Sequence, residues 1–192
     1  MTGIVLLAAG SSSRLGRPKQ NLVFKGKTLV QHALDAAINS GCSPVVVVLG
    51  ANKETIEPTI GDKPVTVIHN PDWQQGMATS VKAGITQLQK TPDISTAIIM
   101  LCDQPFVDAL LLQQLLQTQL QTGKGIIACA YRDTLGVPVL FHQEYFAALL
   151  DLTGDQGAKK LLAMYPNDVA SVDFPKGGVD IDTIADYEGL TR

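Results

Sequence analysis

Short, nearly continuous apolar runs recur along the chain at Ile4–Ala9, Val45–Leu49, Val65–Ile68, Ala97–Leu101, Ile126–Ala130 and Val137–Phe141. Runs of this length predict strands buried on both faces. Between them the apolar positions take helical spacing, with Val30, Ala33, Leu34, Ala37 and Ile38 in one segment and Met77, Val81, Ile85 and Leu88 in another. The first helix has a start signal, because Thr28-Leu29-Val30-Gln31 fits a capping box in which hydroxyl and amide side chains satisfy orphan N–H groups. Ser40-Gly41 marks its end. A segment from Asn52 to Glu57 is predicted to stop at Pro58, and the Leu-rich stretch Asp108 to Leu120 to end near Gly123.

Strand and helix alternation predicts an α/β fold with helices on both faces of a mainly parallel sheet. A length of 192 residues suits one domain, 1–192, and no linker, repeat or low-complexity tract divides it. After Val137 the rhythm changes, with Gly154, Gly157, Gly177 and Gly178 interrupting shorter elements. In an open sheet of this class ligands sit beyond the carboxyl ends of the strands. Two candidate motifs, the Gly10 loop and Asp103, follow strands directly.

Composition narrows the class. With 45% hydrophobic and 17% charged residues and one Trp, the chain is an ordinary globular protein. No apolar run approaches the roughly 18–20 residues that cross a bilayer, and the N-terminus lacks signal-peptide order, so a cytoplasmic location is expected. Cys42, Cys102 and Cys129 adjoin apolar runs and form no C-x-x-C pair, which predicts buried, unpaired thiols. His32, His69 and His142 lie far apart and have neither metal-ligand spacing nor an adjacent nucleophile.

Charge changes the picture by its distribution. The first 27 residues hold Arg14, Arg17, Lys19, Lys25 and Lys27 with no acid, although the net charge is -3. Toward the C-terminus Asp168, Asp173, Asp180, Asp182, Asp186 and Glu188 outnumber Lys176 and Arg192. That split suits a phosphate-and-metal site. A nucleic-acid surface would usually carry a pI above about 9, and here the pI is 5.5.

The basic stretch contains LLAAGSSSRLGRPK, residues 6–19, an apolar run breaking into a small, hydroxyl-rich loop. Backbone N–H groups in such a loop can cradle a phosphate while Arg and Lys neutralise it. It is not a P-loop, because five residues rather than four separate Gly10 from Gly16, and it is not G-x-G-x-x-G. Asp103, in Met100-Leu101-Cys102-Asp103-Gln104-Pro105, ends a strand and is either an oxygen ligand for Mg²⁺ or a cap. Asp180 and Asp182, if extended, project to one side and present the same choice. Gln75–Ser80 opens a helix and either contacts a nucleotide or caps that helix, capping being the simpler reading. Gly154–Lys160 is either a solvated turn or a clamp on an acceptor phosphate.

Together these segments resemble the MobA-like nucleotidyltransferases, in particular the molybdenum cofactor cytidylyltransferase branch. LAAGSSSRLGRPK matches LAAG-x-S-x-R-x-G-x-x-K with Arg14, Gly16 and Lys19 in register. GMATSVKAG at 76–84, CDQP at 102–105, GVPVLF at 136–141, GDQGAKKLL at 154–162 and DIDT at 180–183 are also similar. The resemblance implies a three-layer, Rossmann-like nucleotidyltransferase domain. It places main-chain groups at Leu7, Ala8 and Ala9 near the nucleotide base, Gly10 in the glycine-rich loop that holds the nucleotide, Arg14 and Lys19 near the phosphates, and Ser80 near base or ribose. It makes Asp103 a Mg²⁺ ligand, with Asp182 a second one, and gives Lys19, Arg14 and Asp103 the catalytic work. Ala9 in LAAG implies CTP, since guanylyl enzymes usually have LAGG. Ile184 and Lys159 depart from the family's usual Pro and Arg.

The expected reaction is attack by the phosphate of an acceptor, molybdopterin, on the α-phosphorus of CTP, with pyrophosphate leaving. A phosphate monoester is largely anionic at neutral pH, so no general base is needed. Another nucleotidyltransferase, acting on a sugar phosphate or other phosphorylated acceptor, is the alternative within this class, and residues 136–162 would carry the difference. A non-catalytic nucleotide or pterin carrier, in transient contact with a molybdenum oxidoreductase, is the alternative outside it. An NAD-dependent oxidoreductase is opposed by the glycine spacing.

Overall fold

The computed structural model describes residues 1–191, so Arg192, counted above in the C-terminal charge, lies outside the described residues. The strands are β1 (Thr2–Ala8), β2 (Val23–Phe24), β3 (Lys27–Thr28), β4 (Val45–Leu49), β5 (Thr66–His69), β6 (Thr96–Leu101), β7 (Ile126–Tyr131), β8 (Thr134–His142) and β9 (Val169–Asp173). The helices are α1 (Leu29–Asn39), α2 (Lys53–Ile60), α3 (Met77–Leu88), α4 (Ala109–Thr122), α5 (Phe146–Leu150), α6 (Lys159–Met164) and α7 (Ile184–Thr191). Seven strands form one sheet in the order β5-β4-β1-β6-β8-β7-β9, and β2 and β3 form a separate small ladder.

The alternation read from the sequence is a three-layer α/β sandwich, Rossmann-like in its mainly parallel sheet. Along β1, Ile4, Leu6 and Ala8 join a core with Leu34 of α1, Ile56 of α2 and Leu112 of α4. Val5 and Leu7 point the other way, into a core with Val81 and Ile85 of α3, Leu149 of α5 and Leu161 of α6. Period-two alternation thus assigns each strand's residues to two helix layers. Edge strand β5 is half-buried to exposed, unlike the fully buried strand its sequence predicts.

Two further features differ from the sequence reading, beside the edge strand β9, which none of the apolar runs marked. β8 runs antiparallel to both β6 and β7, because a tight turn at Arg132 and Asp133 returns the chain immediately and leaves no crossover helix. Helix α2 passes through Pro58 and ends at Ile60. Proline costs an internal hydrogen bond there, and burial of Ile60 at 3% exposure offsets it.

After β1 the chain moves outward to β4 and β5, then crosses back over α3 to β6 on the other side of β1. The strand order therefore reverses between β1 and β6. A crevice opens at such a point beyond the strand ends.

Candidate active site

A cavity of about 330 Å³ occupies that crevice. The end of β1 supplies Leu7, Ala8, Ala9 and Gly10, the end of β6 supplies Leu101 and Asp103, and Lys19 and Ser80 complete the polar lining. Every residue that the sequence reading placed on the nucleotide therefore meets here except Arg14. Arg14 stands outside, 76% exposed, with its guanidinium 3.8 Å from Asp182.

Lys19 organises the charge. Its Nζ donates to Asp103 Oδ2 at 2.6 Å and to Asp182 Oδ1 at 2.8 Å. Burial alone would lower the Lys19 pKa, but Asp103 beside it and the hydrogen bonds to both carboxylates outweigh burial and raise it, so the side chain stays an ammonium. Burial pushes Asp103 up, against the pull of Lys19. Asp103 Oδ1 is buried and has no hydrogen-bond partner. Cys102 is pushed up to about 12, first by burial and then by Asp103, so it remains a neutral thiol and no nucleophile.

Neither aspartate caps a helix. Thr183 and Asp186 cap α7 instead: the Thr183 hydroxyl accepts from the Asp186 N–H at 3.2 Å, and the Asp186 carboxylate accepts from the Thr183 N–H at 2.7 Å. Asp180 is separated from Asp182; it lines a different cavity, with Arg132. The segment is irregular rather than a strand, so the one-sided projection expected of this pair does not hold.

The loop is held by a residue that the sequence reading passed over. Gln20 is fully buried, and its Nε2 donates to the carbonyls of Ala8 at 3.0 Å and Gly10 at 3.1 Å. The Ser12 hydroxyl donates to Gln20 Oε1 and accepts from the Lys19 N–H. One amide thereby fixes both ends of the turn and the approach of Lys19. Asn70 does similar work across the cavity, donating to the hydroxyls of Thr79 and Ser80. Spacing alone gave no sign of either.

The hydroxyls at 79 and 80 do not cap α3, contrary to expectation. Thr79 donates to the carbonyls of Gly76 and Asp72, and the N–H of Ala78 is taken by the Gly154 carbonyl at 3.0 Å. Gly76 makes that approach possible: its φ is +109°, and a Cβ there would overlap the Gly154 backbone. The 154–160 loop is thus strapped to the rim of the cavity. Its Lys159 donates to Thr134 Oγ1 at 2.9 Å.

The histidines lie outside this site. His32 bonds the Phe24 carbonyl, His69 pairs with Glu57 and His142 with Glu144. All three cysteines are free and buried, as the sequence predicts. No described helix is long and apolar enough to cross a membrane.

A profile of the MobA-like NTP transferase domain matches residues 4–170. The chain belongs to the MobA-like NTP transferase family. Nicotine blue oxidoreductase of Paenarthrobacter nicotinovorans is 32% identical over 192 residues, covering 94% of this chain and 91% of that protein. The molybdenum cofactor cytidylyltransferase of Escherichia coli (strain K12) is 36% identical over 86 residues, 44% of each chain. The crystal structure of Rv0371c from Mycobacterium tuberculosis H37Rv superposes with a TM-score of 0.85 at 28% identity, covering 98% of this chain and 96% of that one. A manganese complex of the same protein superposes at 0.77, with the same coverage. This chain is a MobA-like domain with a nucleotidyltransferase fold, and its candidate site lies at the strand ends where that fold places ligands.

Proposed function

We propose that this MobA-like domain transfers CMP from CTP to the phosphate of molybdopterin and releases pyrophosphate. The observation that carries the reading is the convergence of the LAAG strand end, with Ala9, on the same cavity as Lys19 and Asp103. Similarity over part of the chain to a molybdenum cofactor cytidylyltransferase supports the choice of donor and acceptor.

In this mechanism the backbone at Leu7–Gly10 seats the base, and Ser80, braced by Asn70, lies beside base or ribose. Lys19 turns its ammonium to the triphosphate, with Arg14 reaching in from the rim. The acceptor phosphate is already anionic, so the chain has to align two anions and stabilise charge on the departing pyrophosphate. Asp103 and Asp182 would hold Mg²⁺. The fit rests on the donor set: two carboxylates converge on one ammonium, and one buried carboxylate oxygen has no partner, which suits a cation that takes oxygen ligands. When bound, the ion would neutralise charge on the triphosphate and the leaving group. The manganese complex of the similar mycobacterial protein supports a divalent ion in this fold.

A second reading has its own support. That reading is an oxidoreductase acting on a substrate held in the same cavity, and it rests on the alignment of nicotine blue oxidoreductase over nearly the whole chain. Pyrophosphate release from CTP, GTP, ATP and UTP with Mg²⁺, with and without molybdopterin, tests the first reading. Parallel loss of reduced-nicotinamide absorbance tests the second. Release that needs both CTP and molybdopterin is expected; release with a sugar phosphate alone, or nicotinamide oxidation without release, would overturn it.

A further inference from the structure

A second cavity, of about 280 Å³, shares Leu101 and Asp103 with the first. Its floor is set by the buried Gln104, whose Nε2 donates to the carbonyls of Val137 at 3.2 Å and Gly177 at 2.9 Å. One wall is the ring of Tyr131, held edge-on against Phe174 at a centroid distance of 6.3 Å.

Arg132 stands at its mouth on the β7–β8 turn. Arg132 and Asp133, with φ of +47° and +57°, are the two central residues of the two-residue hairpin turn between Tyr131 and Thr134, a turn that takes positive φ at both positions. The arginine is laid against Gly178, where a Cβ would overlap its Nε. Among the described residues its guanidinium makes no ion pair; Asp180, which lines the same cavity, is beyond ion-pair distance. A second cation adjoins it, because Lys159 bonds Thr134, another lining residue. The cavity therefore offers one lining cation, Arg132, with Lys159 one hydrogen bond beyond Thr134, an aromatic wall, the carboxylate of Asp180 and a direct boundary with Asp103.

We propose that this second cavity seats the phosphorylated co-substrate, with Arg132 and Lys159 holding its phosphate and Tyr131 facing a planar ring. The proposal rests on the reading that the first cavity holds the nucleotide. Guanidinium offers a two-pronged grip on phosphate that an ammonium cannot, so Arg132 is the specificity-determining residue and Lys159 its helper. Asp103, common to both cavities, then lies between donor and acceptor.

The test is equilibrium binding of a fluorescent pterin phosphate monoester and of its phosphate-free counterpart, with CTP binding followed separately. Trp73 is the chain's one tryptophan and lines the first cavity, so its fluorescence reports CTP there. Arg132→Ala is expected to weaken the phosphopterin at least tenfold, Arg132→Lys to recover part of that, and Lys159→Ala to weaken it less. Trp73 quenching by CTP stays unchanged in all three, and the phosphate-free pterin binds wild type and Arg132→Ala alike. Equal phosphopterin affinity in wild type and Arg132→Ala, no binding to wild type, or an equal loss of CTP affinity would overturn the proposal. Arg132-dependent binding without pyrophosphate release from CTP would leave the subsite standing and remove the transferase reading.

Discussion

At the scale of residues the site turns on Lys19, one ammonium between a buried carboxylate and a half-exposed one, with Asp103 and Asp182 at 11% and 44% exposure. Removing it should leave Asp103 buried without its counter-charge. Breaking a buried pair costs about 3–5 kcal/mol, and about 3 is expected for Lys19→Met because Asp182 remains hydrated. Denaturant unfolding measures this, and Asp103→Asn on the Lys19→Met background should recover most of it; additive losses would show that the two are uncoupled. The sign with pH follows from the raised Lys19 pKa. Its stabilisation is complete below the ordinary lysine value of about 10.4 and is lost as pH rises beyond that. Asp103 was legible in the sequence because it ends an apolar run, and Lys19 because it belongs to an acid-free basic loop in register with the family pattern. Gln20 and Asn70 were not, since their roles depend on carbonyls and hydroxyls that only the fold brings within reach.

At the scale of elements the capping box on α1 is present as read: Gln31 N–H donates to Thr28 Oγ1, and Thr28 N–H to Gln31 Oε1 at 3.0 Å. Thr28→Ala should cost about 1 kcal/mol in thermal or denaturant unfolding, and a change near zero would mean that packing alone sets the start of α1. Asp35 on α1 ties Lys27 of β3 and Lys63 beyond α2, each at 2.6 Å. Burial would raise its pKa, yet hydrogen bonds from the two lysines outweigh burial and hold it low. A depressed carboxylate adds stability above its unfolded pKa of about 3.9 and loses it as pH falls through the lower folded value. Asp35→Asn should therefore cost about 0.5–1 kcal/mol at pH 7 and nothing at low acid pH. An equal cost at both pH values would contradict the assignment. Helix ends written in local chemistry, such as Thr28 and Asp108, were readable. The passage of α2 through Pro58 was not, because the compensation comes from tertiary burial of Ile60.

At the scale of the whole molecule, alternating apolar runs gave the layers and six of the seven strands of the main sheet, but not the half-exposed edge strand β9 or the strand order. The antiparallel β8 and the reversal between β1 and β6 depend on pairings far apart in sequence, and local periodicity carries no record of them. That reversal brings a loop near residue 10, an aspartate at 103 and an aspartate at 182 into one crevice. In the proposed function this crevice transfers a nucleotide, and Asp103 is required for it. The direct measurement is joint quantification of pyrophosphate and the CMP–molybdopterin product from CTP, Mg²⁺ and molybdopterin, for wild type and Asp103→Ala, with circular dichroism confirming the fold of each. Equimolar products from wild type, and none from a folded Asp103→Ala, are predicted; near-normal product from that variant would contradict the claim.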